Sequence, residues 1–142
     1  RMYFGTDIIR TVSNCHLGPT GMDMHECISL SFSGGRMANL QSGALCLNDR
    51  QGIISGTEGY IRIDNINCPE CIEVWRNYEL VERITRPEEM INGYEYQVIE
   101  CKRCMEAGLQ ESPMMPHRET IDIMKQMDSL RKEWGVTYPM DR

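Results

Sequence analysis

The sequence predicts an α+β fold: a mainly antiparallel open sheet with two carboxy-terminal helices covering one face. Three observations predict it. The first half runs as β-branched segments broken by glycine-bearing turns, and the second half changes to a helical hydrophobic period. The links between successive strands are also short, whereas parallel pairing needs a crossover of roughly a dozen residues.

D-I-I-R-T-V-S-N-C-H-L is the first strand and stops at the turn signal G-P-T-G. M-D-M-H-E-C-I-S-L-S-F is the second; its Met24, Ile28, Leu30 and Phe32 give partial alternation and are expected not all to point one way. S-G-G turns the chain into R-M-A-N-L-Q-S-G-A-L-C. In Q-G-I-I-S-G-T-E-G-Y-I-R-I the G-x-x-G element invites a phosphate-loop reading, but such a loop works through the free N–H groups of a following helix. A β-patterned run follows instead, so a hairpin turn is expected, with Gly56 and Gly59 supplying unusual backbone angles. C-I-E-V-W and E-L-V-E-R-I extend the sheet.

Tyr94, Val98, Cys101 and Met105 then fall on one helical stripe closed by Gly108. A second helix after P-x-x-P-H carries Ile121, Met124, Met127, Leu130 and Trp134 on one side and ends at Gly135. Its solvent face is expected to pair Asp128 with Lys132 and Asp122 with Lys125. The methionines from Met114 to Met127 read as flexible core filler. The final V-T-Y-P could add an edge strand.

The chain is long enough for one domain with its own core. Its net charge is -6 and its isoelectric point is near 5.1, the opposite of a basic nucleic-acid module. No apolar run approaches the roughly 20 residues of a membrane helix. Neither nucleic acid nor membrane is expected as a partner. Seven cysteines, an odd number placed inside periodic segments, suit free thiols in a reducing cytoplasm. The chain opens at Arg1 on an apolar stretch without an initiator Met, and a fragment of a longer protein is expected.

N-C-P-E-C and E-C-K-R-C look like the four thiolates of a zinc ribbon. Such ligands sit on tight turns around one ion about 2.3 Å away. Here Cys71 opens an apparent strand, and Cys101 and Cys104 lie within a helix, on one shared face. Cys68 precedes no helix that would activate it as a redox thiol. Free thiols are expected and no metal site. His16, His25 and His117 read as scattered, with His117 hydrogen-bonding at the start of the second helix.

G-I-I-S-G-T-E-G-Y-I-R-I (52–63), E-S-P-M-M-P-H-R-E-T (111–120), T-G-M-D (20–23) and the ending D-S-L-R-K-E-W-G-V-T-Y-P together resemble the carboxy-terminal domain of the Gfo/Idh/MocA oxidoreductases, nearest the dihydrodiol dehydrogenase branch. The resemblance implies that residues 1–142 are a single substrate and dimerisation domain. Its upstream Rossmann domain, holding NAD or NADP, is absent from this sequence. It implies a small polyol or sugar, an inositol or a diol as substrate of the parent enzyme, and a homo-oligomer formed through the open sheet face. The family's acid–base lysine, in an E-K-P motif, and its D-x-G-x-x-[YH] motif are not in this sequence, and no G-x-G-x-x-G precedes a helix. The resemblance therefore assigns no catalytic, cofactor-binding or metal-ligating residue here. No substrate-contacting residue is carried over, because those positions vary between branches. A stand-alone binding or assembly module on the same sheet is the alternative.

Overall fold

The computed structural model describes residues 3–141. Seven strands precede two helices: β1 (Ile8–Leu17), β2 (Asp23–Phe32), β3 (Met37–Gly43), β4 (Gly52–Ser55), β5 (Gly59–Ile63), β6 (Cys71–Arg76), β7 (Glu79–Thr85), α1 (Tyr94–Glu106) and α2 (His117–Trp134). Strands that follow one another in sequence pair antiparallel, except β3 and β4, which do not pair; this bears out the expected α+β, mainly antiparallel class. The strands form two ladders, β1-β2-β3 and β4-β5-β6-β7. The break falls at 44–51, where the Asn48 and Asp49 side chains accept the backbone N–H groups of Arg50 and Gln51, and Arg50 takes a left-handed φ of 53°. Asx turns of this kind compete with strand pairing. The chain accordingly divides into two compact units, residues 1–47 with 117–142, and residues 48–116.

In the first unit, β2 is the central strand. Met24, Ile28, Leu30 and Phe32 share one face, contrary to the sequence expectation. They are separated by even numbers of residues, and a strand has a period of two. Leu30 and Phe32 are buried, and Phe4 meets Phe32 edge-on at 5.5 Å. Ser13, opposite Ile28, ties this face to the end of α2: its hydroxyl accepts the Trp134 indole N–H (2.9 Å) and donates to Glu133 (3.0 Å).

The inward residues of α2 are Ile123, Gln126, Leu130 and Trp134, at steps of three and four. Ile121, Met124 and Met127 are about half exposed, so they are not core filler. Successive steps of three fall behind a 3.6-residue period, which carries Met127 well round the helix from Ile121. The surface pairs also differ from expectation: Asp128 takes Arg131 (3.1 Å) and Asp122 takes Arg118 (3.7 Å).

The expected edge strand at V-T-Y-P is absent. Gly135 is left-handed (φ 76°) and the Val136 N–H reaches back to the Arg131 carbonyl, a helix stop that buries Val136. The tail then makes a 3₁₀ turn at Pro139–Asp141. There Arg131 lies over the Tyr138 ring (4.4 Å) and binds Asp141 (2.5 Å).

In the second unit, β4 and β5 form the expected hairpin, closed by Gly56 N–H to the Gly59 carbonyl (2.8 Å). The reason for its glycines differs from the expected one. Neither has a positive φ; Gly59 instead faces β6 so closely that a Cβ would stand 2.0 Å from the Trp75 carbonyl oxygen. The β6–β7 turn is the strained one, with Asn77 at φ 49° and Tyr78 at φ 65°. Helix α1 ends as expected at a left-handed Gly108, with the Leu109 N–H on the Cys104 carbonyl. Its stripe of Tyr94, Val98, Cys101 and Met105 is nevertheless exposed, and its buried residue is Cys104. Among the described residues no helix is long and apolar enough to cross a membrane.

Candidate functional site

One face of the second sheet concentrates the unit's chemistry. Arg62, Glu73 and Arg83 are cross-strand partners on β5, β6 and β7, so pleating sends all three side chains to one face. Glu73 is buried. One carboxylate oxygen takes Arg62 (2.5 Å) and the Trp75 indole N–H (3.0 Å), and the other takes Arg83 (2.6 Å). Burial alone would raise the Glu73 pKa. The hydrogen bonds from Trp75 and Arg83 and the charges of both arginines outweigh that and hold it below the usual carboxylate range. On the same face Tyr60 stacks on Trp75, with ring centroids 5.8 Å apart and planes 8° from parallel, and Arg62 lies 5.8 Å from the Trp75 ring centre.

Beyond this stack, the β4–β5 and β6–β7 turns enclose a hollow of about 230 Å³. It is lined by Ser55, Gly56, Thr57, Glu58, Gly59, Tyr60, Asn77 and Tyr78. Its hydroxyl, amide and carboxylate groups could hydrogen-bond a hydroxylated ligand. At this volume, below the roughly 300–1,000 Å³ of pockets that bury a drug-sized ligand, it offers part of an enclosure.

A second polar knot holds α1. Arg103 grips Glu100 through two nitrogens (2.7 and 2.8 Å), and Ser112 donates to the same carboxylate (2.5 Å). Arg103 first, then Ser112, lower the Glu100 pKa to about 2. Burial, with Glu100 beside it, pushes the Cys104 thiol up, so this cysteine is a poor nucleophile.

The two C-x-x-C pairs do different things. Cys68 accepts a hydrogen bond from Arg86 (3.2 Å), and Cys71 begins β6 with its N–H on Asp64 (2.8 Å). Cys101 and Cys104 are neighbours three residues apart on α1, yet Cys101 is exposed and Cys104 buried. Adjacent positions on the helix are separated here by the Glu100 knot, which engages one thiol and leaves the other in solvent. Among the described residues no group of three or more His, Cys, Asp or Glu could hold a metal ion.

The histidines are less scattered than expected. Antiparallel register sets His16 directly opposite His25, whose ring nitrogen lies 2.9 Å from the Gln41 amide. Sequence distance hides this pair because the β1–β2 turn folds one residue onto the other. His117 is the first residue of α2.

A dinucleotide pyrophosphate fits poorly here. Gly56 to Gly59 leads into a strand, and the glycine that does precede a helix, Gly93, opens one whose amino terminus is filled. Glu95 accepts its own backbone N–H and that of Ile91, which lower its pKa. A carboxylate at that terminus repels a phosphate.

No family model matches the chain. A trans-1,2-dihydrobenzene-1,2-diol dehydrogenase of Danio rerio is 31% identical over 128 residues, covering 86% of this chain and 38% of that protein. A D-xylose 1-dehydrogenase (NADP(+)) of Hypocrea jecorina is 40% identical over 48 residues, covering 34% of this chain and 12% of that protein. Among solved structures, the aldose-aldose oxidoreductase of Caulobacter crescentus, complexed with glycerol, superposes with a TM-score of 0.71 at 14% identity, covering 89% of this chain and 38% of that one. The chain thus spans about two fifths of the length of the dihydrodiol dehydrogenase it matches. These similarities bear out the resemblance to a Gfo/Idh/MocA carboxy-terminal domain of the dihydrodiol dehydrogenase branch.

Proposed function

From the match to trans-1,2-dihydrobenzene-1,2-diol dehydrogenase over 86% of the chain, we propose that this is the substrate-binding and dimerisation half of an NAD(P)-dependent oxidoreductase acting on a sugar, inositol or diol. The match is the observation that carries the reading. Hydride transfer requires cofactor and reacting carbon fixed in near contact, and the cofactor, NAD or NADP, belongs to an upstream Rossmann domain. This chain supplies the second wall of the site and its own polar groups orient the hydroxyls. The protein works in the cytoplasm. The Glu95-filled helix terminus and the strand after Gly59 both support a chain that does not hold the dinucleotide itself.

Self-association is part of the proposal. The first sheet's face opposite Ser13 carries Val12, Asn14 and His16 beside Ser29, Cys27 and His25, and Met37, Asn39 and Gln41 beyond them. Ser29 donates to Asn39 (2.6 Å), and Met37 is largely exposed. A face with exposed Val12 and Met37 and a single charge at Arg10 supports a second copy as its occupant.

The test is calorimetric titration of the chain with NAD and NADP, beside a dehydrogenase assay and light scattering of a longer protein carrying an upstream Rossmann domain. No cofactor binding by the chain, and activity on a diol or sugar by the longer dimer, are expected. Micromolar cofactor binding by the chain alone, or a strictly monomeric longer protein inert across sugars, inositols and diols, overturns the reading.

A further inference from the structure

The Arg62–Glu73–Arg83 triad is not absorbed by a polyol reading, since neutral hydroxyls do not call for a concentrated positive charge. A ladder that served only to join strands would be complete with one arginine on Glu73. Here two guanidinium groups share one carboxylate, both of whose oxygens are already engaged. Among the described residues neither arginine has a second carboxylate in ion-pair contact, so two positive charges share one negative charge.

Glu73 engages a terminal nitrogen of each arginine, and a guanidinium carries five N–H donors. The two side chains remain 41% and 57% exposed, so further donors can be reached from solvent. Buried Glu73 fixes both forks in advance, which lowers the cost of ordering them around a second anion. The surroundings are partly apolar: Ile53, opposite Arg62 on β4, is 60% exposed, and the Tyr60–Trp75 stack lies alongside. In a chain of net charge -6, this is a local reversal of sign.

We propose that Arg62 and Arg83, held by Glu73, form a binding site for an organic carboxylate borne on a planar or apolar group. The carboxylate lies across the outer edges of the two guanidiniums as a second, solvent-side counterpart of Glu73. The attached ring lies over Ile53 and the edge of the aromatic pair. Bidentate, charge-assisted hydrogen bonds of this kind are the strong ones. The site does not depend on the dehydrogenase reading, and its test uses neither cofactor nor turnover, so either can fail while the other stands.

The experiment is a titration of the chain with sodium benzoate, followed by two-dimensional ¹H–¹⁵N nuclear magnetic resonance. The chain has two tryptophans, hence two indole N–H resonances, and that of Trp75 reports directly because its N–H rests on Glu73. Trp75→Phe identifies it. Benzoate is expected to shift the Trp75 resonance saturably while Trp134 stays in place; benzyl alcohol leaves both unmoved. Arg83→Gln is expected to weaken binding about tenfold or more, the scale of one charged hydrogen bond. Arg76→Gln, an exposed arginine on the same strand as Glu73, should leave affinity within about twofold. Arg62→Gln and Arg83→Lys, each checked by circular dichroism, stand behind Arg83→Gln should it fold poorly. Equal shifts with benzyl alcohol, a shift reproduced by sodium chloride at the same ionic strength, or unchanged affinity in the folded arginine variants would each overturn the proposal.

Discussion

In the unit formed by residues 1–47 and 117–142, the side chains withdrawn from water are hydrocarbon: Leu30, Phe32, Leu130 and Val136. In the unit formed by residues 48–116 they are the carboxylate of Glu73 and the thiol of Cys104. Charge divides in the same way, with acidic and basic residues balanced in the first unit and the acidic excess lying in the second. Two antiparallel sheets of similar size are therefore specified by different forces. Hydrocarbon burial is non-directional and grows with area, about 25 cal/mol per Å². A buried carboxylate adds nothing by being buried; it needs its partners, and losing one leaves a buried charge uncompensated. The first unit should be sensitive to lost volume, and the second to lost partners, close contacts and acid.

Phe32→Ala gives the largest effect, a loss of about 3–5 kcal/mol, because Phe32 is 1% exposed and its removal leaves a cavity under the central strand. Hydrogen exchange should show the loss in β1–β3 amides first. Equal loss of protection in β5 and β6 would break the distinction between the units. Gly59→Ala comes next, at about 1–3 kcal/mol, since the added methyl meets backbone, which cannot swing aside as a side chain can. Thermal melts of this variant beside Gly56→Ala sharpen the point. Gly56 has its nearest neighbour at an ordinary 3.6 Å, so a comparable loss there would contradict the steric account.

The smallest effect concerns acid. Glu100 titrates near 2 in the folded chain against 4.5 for an unperturbed glutamate. Its contribution is therefore fully present above about pH 4.5 and is lost as pH falls toward 2. Urea denaturation of the wild type and Glu100→Gln across that window should show a stability gap that closes on acidification. A gap independent of pH would mean that Arg103 and Ser112 do not act through the charge.

The order of elements was legible in the sequence because its signals are local. G-P-T-G, Gly108 and Gly135 mark stops whatever surrounds them, and short links leave antiparallel pairing as the available arrangement. The faces were less legible. Tyr94, Val98, Cys101 and Met105 do form a stripe, but periodicity reports which residues share a face and says nothing of whether a partner covers it. The Arg62–Glu73–Arg83 triad was missed because its members are ten or more residues apart on three strands. Opposite charge at matching positions of β5 and β6 was an available signal for Arg62 and Glu73, but counting outward from the β6–β7 turn sets Glu73 opposite Glu82, because an irregularity between Val74 and Trp75 shifts the register by one.

What the sequence determined by itself is the set of elements, their antiparallel pairing, and the resemblance carried by G-I-I-S-G-T-E-G-Y-I-R-I and the G-x-x-Y-P tail. Backbone preferences, turn chemistry and hydrophobic period act over a few residues and can be read along the chain. What only the tertiary structure decided is the division into two ladders at 44–51, the cross-strand meeting of His16 with His25, and the burial of Glu73 between two arginines. The last two depend on register, which joins residues distant in sequence. Register emerges from the sum of many weak cross-strand contacts, and no single stretch of residues records it.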